Sequence, residues 1–477
     1  MPSVFLISVI SCAVFGNSWN FLLQFFYQFL SLAVFSFIFL KFLKNDEIPY
    51  GEKIWLFPSV CALSALSWAF SPLRNLLSWE LINFLSGAAV FFSSAFLKKE
   101  IEERKKIIFF IFSLIILVGF WQFFYSEETY STLKNSNTLA FYSILAGGLA
   151  LKLGNYYLAL AFGILILVSK SVGAIIAVFC AALLYAFDRK AFFEIKANKF
   201  LFFAVFIMIF VSILSIDPSS IRDRLNWWKS ALLMIKESPL YGWGTGSFAY
   251  VSGAFAGKES LKSVYAHNHY LEFAAENGII TALLWFYFLI FIVKKSFGFL
   301  RYALFAALIH SFFDFGMSSP YGFWLFCFCA GLSSEFSLHK TKESFFAGVF
   351  AVLFFLFLSF FYGGIYNYKK EMLLTKASED PSYFKKVIEG KEKYPFDYDY
   401  LSFVAKNILK QAEEKKDFGL LAESAKAYEQ KLIVNPWNPA DYSVLERIYS
   451  FMKEESIKEE LKKRSKKYLK TNEEDKI

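Results

Sequence analysis

Residues 105–125 read KKIIFFIFSLIILVGFWQFFY, and no charged side chain follows Lys106 in this stretch. An α-helix needs about 20 consecutive apolar residues to cross the hydrocarbon core of a bilayer. Similar blocks recur along the 477 residues, of which 56% are hydrophobic, 21% aromatic and 19% charged. A soluble domain carries about 25% charged residues, and its helices have polar faces that these blocks lack. The sequence therefore predicts a membrane protein and argues against a large soluble helical protein.

The apolar blocks predict an all-α, polytopic membrane fold with about 12–13 transmembrane helices and an additional small helical domain. Residues 1–364 form the predicted transmembrane domain, and residues 365–477 form the second domain. Several spans are short, and the region 138–187 can also be divided differently. The predicted spans are 3–16, 20–43, 54–71, 78–97, 106–125, 138–152, 155–169, 171–187, 200–216, 278–294, 298–314, 320–335 and 344–364.

Basic residues are distributed unequally between alternate loops. The short loops of one set hold Arg74, Lys134 and Lys170, whereas the other set is much richer in lysine and arginine. Because basic short loops remain in the cytoplasm, the richer set and the N-terminus are predicted to be inside. Residues 217–277, the polar segment, and the tail are then predicted to be outside. The inside set holds Lys41, Lys44, Lys53, Lys98, Lys99, Arg104, Lys105, Lys106, Arg189, Lys190, Lys196, Lys199, Lys294, Lys295, Lys340 and Lys342.

The net charge of +9 does not indicate nucleic-acid binding. Residues 365–477 hold 23 Lys+Arg and 21 Asp+Glu, so the excess lies in the membrane part, where basic loops explain it. The five cysteines all lie in apolar blocks and show no metal-binding or disulfide spacing, which favours a packing role. Residues 3–15 lack a basic leader and are predicted to be a span, not a cleaved signal peptide.

The tail contains a pattern that resembles a tetratricopeptide helix pair. The spacing to a second, weaker copy near Tyr394-Pro395 is about 41 residues, against about 34 for that repeat, so a generic helical domain is the alternative. We expect an interaction or spacing module that could bind a protein partner. The matching residues are Ala425, Tyr428, Leu432, Asn435, Pro436, Tyr442 and Leu445.

The polar segment combines three motifs that could bind and process a charged ligand. Arg222 and Arg224 can meet a lipid diphosphate, because a guanidinium offers a bidentate fork. Pro239 to Phe248 read PLYGWGTGSF, a turn whose glycines allow close approach of the backbone to a ligand. His267 can accept a proton near neutral pH.

In this order the motifs resemble the O-antigen ligase and polymerase superfamily. The resemblance rests on Arg224 to Trp228, Pro239 to Phe248, and His267 to Gly278. Flanking elements are similar as well: Asn135 to Ala140, Ser169-Lys170-Ser171, and His310-Ser311 with Asp314. The resemblance covers about residues 1–335. Val172 stands where the family usually has arginine, and Lys170 is a candidate for the missing cation.

The resemblance implies a multi-pass protein of the bacterial inner membrane with a glycosyltransferase C-type fold. It implies metal-independent, inverting transfer of a glycan from undecaprenyl diphosphate to an acceptor hydroxyl at the periplasmic face, with no cofactor. His267 and Arg224 are then the catalytic residues, with His267 activating the acceptor and Arg224 meeting the diphosphate. The residues implied in substrate binding are Arg222, Lys170, Asn268, Glu272, His310, Asp314 and Asn137.

Structural roles are the alternatives for several of these residues. Arg222 could anchor to lipid head groups, Lys170 could snorkel from a short hairpin, and His310 could make an interhelical hydrogen bond. Glu272 and Glu276 could form a solvated helix face. Three further residues are predicted to be structural or interfacial: His269, Trp227 and Trp228.

Three acceptors fit the site: lipid A-core, a second lipid-linked glycan, and a Ser or Thr of a protein. We rank the ligase first, the polymerase second and the protein O-oligosaccharyltransferase third. A transporter of polyprenyl-linked glycans is the alternative from a different class. It is disfavoured because its polar groups would extend through the full membrane depth, whereas here they gather at one side.

Overall fold

The computed structural model describes residues 2–15, 21–44, 47–50, 53, 55–126, 128–133, 135–188, 218–257, 262–334, 337–340, 369–370, 372–378, 383–395 and 397–470. These residues are predominantly helical. The first nine helices are α1 Pro2–Phe15, α2 Phe21–Lys44, α3 Leu56–Phe70, α4 Arg74–Phe96, α5 Lys98–Glu103, α6 Lys105–Tyr125, α7 Ser136–Lys152, α8 Tyr156–Val168 and α9 Val172–Asp188.

The polar segment and the spans after it supply six more helices. They are α10 Pro218–Glu237, α11 Phe248–Val251, α12 His269–Asn277, α13 Ile279–Lys295, α14 Gly298–His310 and α15 Pro320–Ser333. Each predicted span within the described residues coincides with a helix to within a few residues. The predicted spans 200–216 and 344–364 lie outside the described residues.

Helix α6 is the one helix in the described part of the chain that is both long and apolar enough to cross a membrane by length and composition. It is the same stretch, Lys105–Tyr125, that decides the fold class in the sequence. Shorter apolar helices or helical segments of 10–17 residues accompany it, among them Leu56–Phe70, Val172–Asp188 and Pro320–Ser333. The helical architecture agrees with an all-α membrane protein.

Small residues allow α4 and α15 to pack closely. A Cβ atom at Gly87 of α4 would lie 2.2 Å from the ring of Phe323, and one at Gly331 of α15 would lie 2.2 Å from the carbonyl oxygen of Phe91. Helices in a membrane associate through such close approaches, because lipid gives them no hydrophobic drive to associate. The pair forms the centre of the main apolar core, with Phe84 stacked on Phe323 at 5.3 Å.

Contacts between loops agree with the predicted alternation of the spans. Lys152 Nζ lies 3.3 Å from Glu102 Oε1, and Arg301 Nη1 lies 3.2 Å from Asp188 Oδ2. Both contacts join residues in α5 or at helix ends that the charge pattern predicts to lie on the cytoplasmic side. The contacts of the polar segment, described below, join loops of the other set.

Two short strands are a departure from the all-α prediction. Strand β1 (Glu47–Tyr50) pairs antiparallel with β2 (Ser337–Lys340), and Pro49 stands opposite Leu338. Proline has no backbone N–H and interrupts a helix, so the link after α2 cannot continue it through Pro49. An isolated pair of strands has two free edges, and such an edge accommodates proline. The two strands join loops that are both predicted to be cytoplasmic.

The tail is helical, as the sequence predicts. Its helices are α16 Phe384–Glu389, α17 Tyr398–Lys415, α18 Phe418–Val434, α19 Pro439–Met452 and α20 Glu455–Tyr468. Only a few residues separate each of the helices α17 to α20 from the next. The four helices pack around one apolar cluster. Their assignment to tetratricopeptide repeats stays a prediction, as does the boundary at residue 365.

A buried ion pair lies in the tail. Lys431 Nζ donates to Asp441 Oδ1 at 2.6 Å, and the hydroxyl of Tyr398 donates to Asp441 Oδ2 at 2.7 Å. Both charged side chains are at most 4% exposed. Charges out of water are tolerated only while they remain paired.

We expect Asp441→Ala to destabilise the tail by about 3–5 kcal/mol, because it leaves the Lys431 ammonium buried without its counter-ion. The measurement is thermal unfolding of the purified protein together with limited proteolysis of the tail. The control is Lys410→Ala, which removes an exposed pair with Glu414 and should cost less than about 1 kcal/mol. Equal unfolding temperatures for the two variants would contradict the buried role of the pair.

Candidate functional site

Asp314 joins the two residues that the sequence predicts to be catalytic. Its Oδ2 lies 3.4 Å from Arg224 Nη2, and its Oδ1 lies 3.4 Å from His267 Nδ1. The Asp314 side chain is 3% exposed, whereas those of Arg224 and His267 are 27% and 17% exposed. The carboxylate is therefore enclosed, and its two partners remain partly exposed.

The three residues come from separate parts of the chain. Arg224 lies in the second turn of α10, His267 immediately precedes the N-cap residue of α12, and Asp314 follows the end of α14. The N–H of Asp314 donates to the carbonyl of His310 at 3.1 Å, which continues the last turn of α14 as far as the carboxylate.

Aromatic rings fix the orientation of the His267 imidazole. The ring of Trp227 stacks on it at 4.6 Å and 21°, and the ring of Phe315 is nearly perpendicular to it at 4.8 Å and 84°. The backbone of His267 has φ of 52°, a left-handed conformation that is uncommon for a residue other than glycine. Such a conformation persists only when its surroundings hold it, and it is found preferentially at functional sites.

The glycine-rich turn positions α12 by backbone hydrogen bonds. The N–H of Trp243 donates to the carbonyl of Ala275 at 3.1 Å, and that of Gly244 donates to the carbonyl of Glu276 at 2.7 Å. Gly242 has φ of 68°, and a Cβ atom there would lie 2.3 Å from the Glu276 carbonyl oxygen. Glycine is thus required at this position for both conformation and space.

The end of α3 and the residue after it contact α12 and the glycine-rich turn. The hydroxyl of Ser67 donates to the carbonyl of Glu276 at 2.9 Å, and that of Ser71 donates to the carbonyl of Trp243 at 2.5 Å. The polar segment is consequently attached to the membrane part through α3 and through the residues after α14.

Asn268 and Glu272 support the backbone on either side of His267. Asn268 is the N-cap of α12, and its Oδ1 accepts the N–H groups of Tyr270 and Leu271 at 3.1 Å. Glu272 Oε2 accepts the N–H of Ala266 at 2.6 Å. Burial raises the pKa of Glu272 to about 7, although this hydrogen bond and one with Ser318 oppose the rise.

The interpretation of Glu272 and Glu276 as a solvated helix face is wrong. The two residues are 5% and 7% exposed. Glu276 Oε1 accepts the N–H of Phe248 at 3.0 Å, which joins α12 to the end of the glycine-rich turn. Burial, and after it the charge of Glu272, raise the pKa of Glu276 well above its ordinary value. The sequence pattern missed this burial because the turn that covers the helix lies more than 20 residues away.

The two remaining histidines near the site are buried. His310 Nε2 lies 3.4 Å from the hydroxyl of Ser171, in the turn between α8 and α9. His269 Nε2 accepts the indole N–H of Trp285 at 3.1 Å, and its Nδ1 lies 3.2 Å from the Ser318 hydroxyl. Burial lowers the pKa of His269 to about 3, so this ring is neutral and structural, as the sequence predicts.

The described contacts do not bring every predicted site residue to Asp314. Arg222 is exposed on α10, on a different face from Arg224. Lys170 is exposed in the turn before Ser171 and has φ of 56°. Asn137 is half-buried in the first turn of α7, where Asn135 is the cap. Substrate binding by these residues stays a prediction.

The tail contacts the polar segment. The rings of Trp437 and Trp243 meet at 5.3 Å and 79°, and Asn435 Nδ2 donates to the carbonyl of Tyr250 at 3.3 Å. Lys470 Nζ lies 3.5 Å from Glu237 Oε1 at the end of α10. Trp243 also donates its indole N–H to the carbonyl of Met234 in α10 at 3.0 Å. The tail therefore packs on the residue that connects α10 with α12.

Sequence reasoning missed Trp227 and Phe315 as neighbours of His267. It assigned Trp227 to the membrane interface, and Phe315 carried no motif. The available signal was the position of Trp227 three residues after Arg224, which places the two side chains near each other on α10. Within the described residues, no group of three or more His, Cys, Asp and Glu side chains could hold a metal ion.

Part of the chain matches a known family. Residues 157–286 match a family model described as O-antigen ligase. The matched range, about a quarter of the chain, includes Lys170, Arg224 and His267, and it ends within α13. The match supports the O-antigen ligase superfamily and an O-antigen ligase or polymerase type of membrane glycosyltransferase. No curated protein matches the chain.

We expect Gly242→Ala to loosen the polar segment, because the new Cβ would collide with the Glu276 carbonyl in a left-handed conformation. The destabilisation should exceed about 1 kcal/mol. The measurement is amide hydrogen exchange of residues 262–278 in detergent. The matched control is Gly257→Ala, where nothing lies within 4 Å of the added Cβ atom. Unchanged exchange in Gly242→Ala would refute the anchoring role of the turn.

Proposed function

We propose that this protein transfers a glycan from a polyprenyl-diphosphate carrier to an acceptor hydroxyl at the outer face of the bacterial inner membrane. The observation that carries the proposal is the enclosed Asp314 carboxylate between Arg224 and His267, both of which are partly exposed. The O-antigen ligase match supports the reaction class. A lipid A-core acceptor is the first candidate, followed by a second lipid-linked glycan and a protein.

Arg224 would bind the diphosphate and stabilise it as a leaving group. Among the described residues, its contact with Asp314 is long, 3.4 Å through Nη2, which leaves the other guanidinium donors for phosphate oxygens. When the bond between the anomeric carbon and the diphosphate breaks, negative charge develops on the diphosphate. A fixed guanidinium at that position lowers the barrier without rearrangement during the reaction.

His267 would activate the acceptor. Its Nδ1 faces Asp314, which leaves Nε2 for the acceptor hydroxyl. As the hydroxyl oxygen attacks the anomeric carbon, its proton passes to Nε2. The Asp314 carboxylate then stabilises the imidazolium, in the role that the acid has in a Ser-His-Asp triad. The Trp227 and Phe315 rings keep the imidazole aligned during this step.

Replacement of either residue should strongly lower the rate of transfer. We expect Arg224→Ala to lower the turnover of lipid-linked glycan by about 10²-fold or more, because the leaving group loses its cation. We expect His267→Ala to lower it by about 10²–10⁴-fold through loss of the base. The assay is transfer in vitro with purified protein and a lipid-linked glycan donor.

Two further variants serve as a conservative replacement, Arg224→Lys, and as a control, Arg447→Ala. Arg224→Lys keeps the charge but not the bidentate geometry and should have intermediate activity. Arg447→Ala removes an exposed arginine of the tail and should leave the rate unchanged. Full activity of both Arg224→Ala and His267→Ala would reject the assignment of the site.

The acceptor can be identified in the same assay. Lipid A-core, a second lipid-linked glycan and a Ser-rich peptide are offered separately, and the product is identified by mass. Movement of the intact lipid-linked glycan across a vesicle membrane, without transfer to any of the three, would instead indicate the transporter.

Trp437 is expected to support transfer to every acceptor. Because Trp437 packs on Trp243, which connects α10 with α12, Trp437→Ala should displace Arg224 relative to His267 and lower turnover by about tenfold. The measurement is turnover with each acceptor, compared with Phe451→Ala, an exposed tail residue. A loss confined to one acceptor would show that the tail selects the acceptor instead.

A further inference from the structure

Helix α10 presents a row of large apolar side chains to the outside. Ile221, Leu225 and Leu232 are 46%, 55% and 54% exposed. Their spacings of four and seven residues place them on one face of the helix, in line with Trp228. The opposite face carries Ser230, Ala231 and Met234, which are buried against the rest of the polar segment.

A row of basic residues runs beside the apolar row. Arg222, Lys229 and Lys236 recur at intervals of seven, so they also share a face, and all three are exposed. At about 100° per residue, this row is about 60–80° around the helix from the apolar row. Arg224 lies on the other side of the apolar row, facing Asp314.

The exposed apolar surface continues beyond the helix. Leu240 and Tyr241 follow α10 and are 60% and 54% exposed. The ring of Tyr241 lies 5.1 Å from that of Phe70, the last residue of α3, which is itself exposed. The apolar row of α10 therefore continues to the end of a helix that is predicted to span the membrane.

We infer that α10 lies in the interface of the bilayer on the side that carries the site, with Ile221, Leu225 and Leu232 in the acyl region and the basic row on anionic phospholipid head groups. An apolar face bordered by lysine and arginine is typical of helices that lie in the membrane plane. An exposed row of this many apolar side chains would be unfavourable in water. The basic row complements the charge of an anionic phospholipid surface.

This placement has a consequence for the site. Arg224 borders the apolar row, so it is held at the depth of the head groups, where a lipid-linked diphosphate would lie. The inference rests on the exposure and spacing of residues in α10 and does not require the proposed transfer reaction.

The experiment measures the depth of individual positions of α10. Leu225→Cys, Leu232→Cys and Glu237→Cys are each labelled with an environment-sensitive fluorophore, and the full-length protein is reconstituted in liposomes. Glu237 is the control because it lies near the end of α10 on a different face and contacts Lys470. Labelling of the unsubstituted protein corrects for the native cysteines, of which Cys61, Cys327 and Cys329 are buried.

At positions 225 and 232, we expect the emission of the fluorophore to shift to the blue. Phospholipids brominated in the acyl chain should quench it strongly there. At position 237 we expect little of either effect. Equal, weak quenching at all three positions would overturn the inference, as would equal strong quenching. The double variant Lys229→Gln/Lys236→Gln, carrying the label at position 232, then tests the head-group contact.

In the protein that carries only the label at position 232, replacing part of a zwitterionic phospholipid by phosphatidylglycerol should move the label deeper into the bilayer. The brominated phospholipids should then quench it more strongly. In the double variant this increase should be lost. An unchanged dependence on phosphatidylglycerol would show that the basic row does not bind anionic lipid. Because no step measures glycan transfer, failure here and failure of the proposed function are separate outcomes.

Discussion

The enclosed carboxylate of Asp314 is the constraint on which the arrangement of the site depends. A carboxylate at 3% exposure is unfavourable unless opposite charge or hydrogen bonds compensate it. Arg224 and His267 provide that compensation, and the N–H of Phe315 adds a hydrogen bond at 2.8 Å. The polar segment therefore has to fold back over the end of α14, and the position of α10 follows from this contact.

The second constraint is the backbone of the glycine-rich turn. Its hydrogen bonds to the carbonyls of Ala275 and Glu276 fix the end of α12, while Asn268 fixes the beginning. His267 lies between Asp314 and the cap at Asn268, which explains how the chain holds it at positive φ. The Glu276 carboxylate, accepting from Phe248, closes the arrangement from the other side.

The sequence predicts the helices of the membrane part well, because the thickness of the hydrocarbon core sets both their length and their apolar composition. It also identifies Arg224, His267 and Asp314 as candidate site residues, through the resemblance of their motifs to the O-antigen ligase and polymerase superfamily. It does not predict their pairing, which depends on the path of the chain between residues 224 and 314. Glu276 illustrates the same limit: its spacing from Glu272 indicates a shared face, but burial of that face is decided by a turn distant in sequence. The β1–β2 pair was missed because each strand has only four residues and gains its partner from the far end of the membrane part.

The attachments of the glycine-rich turn bear on how such a segment could be exchanged between proteins. Ser71, directly after α3, donates to the backbone of the turn at Trp243, and Ser67 of α3 donates to the Glu276 carbonyl that also accepts from the turn. Trp437 in the tail packs on Trp243. A chimaera that grafts residues 217–277 alone would bring the motif but leave behind the side chains that shape it. Recombination should succeed only when the end of α3 with the loop after it, the polar segment and the tail are inherited together, so these three segments form one unit of exchange although they are far apart in the gene.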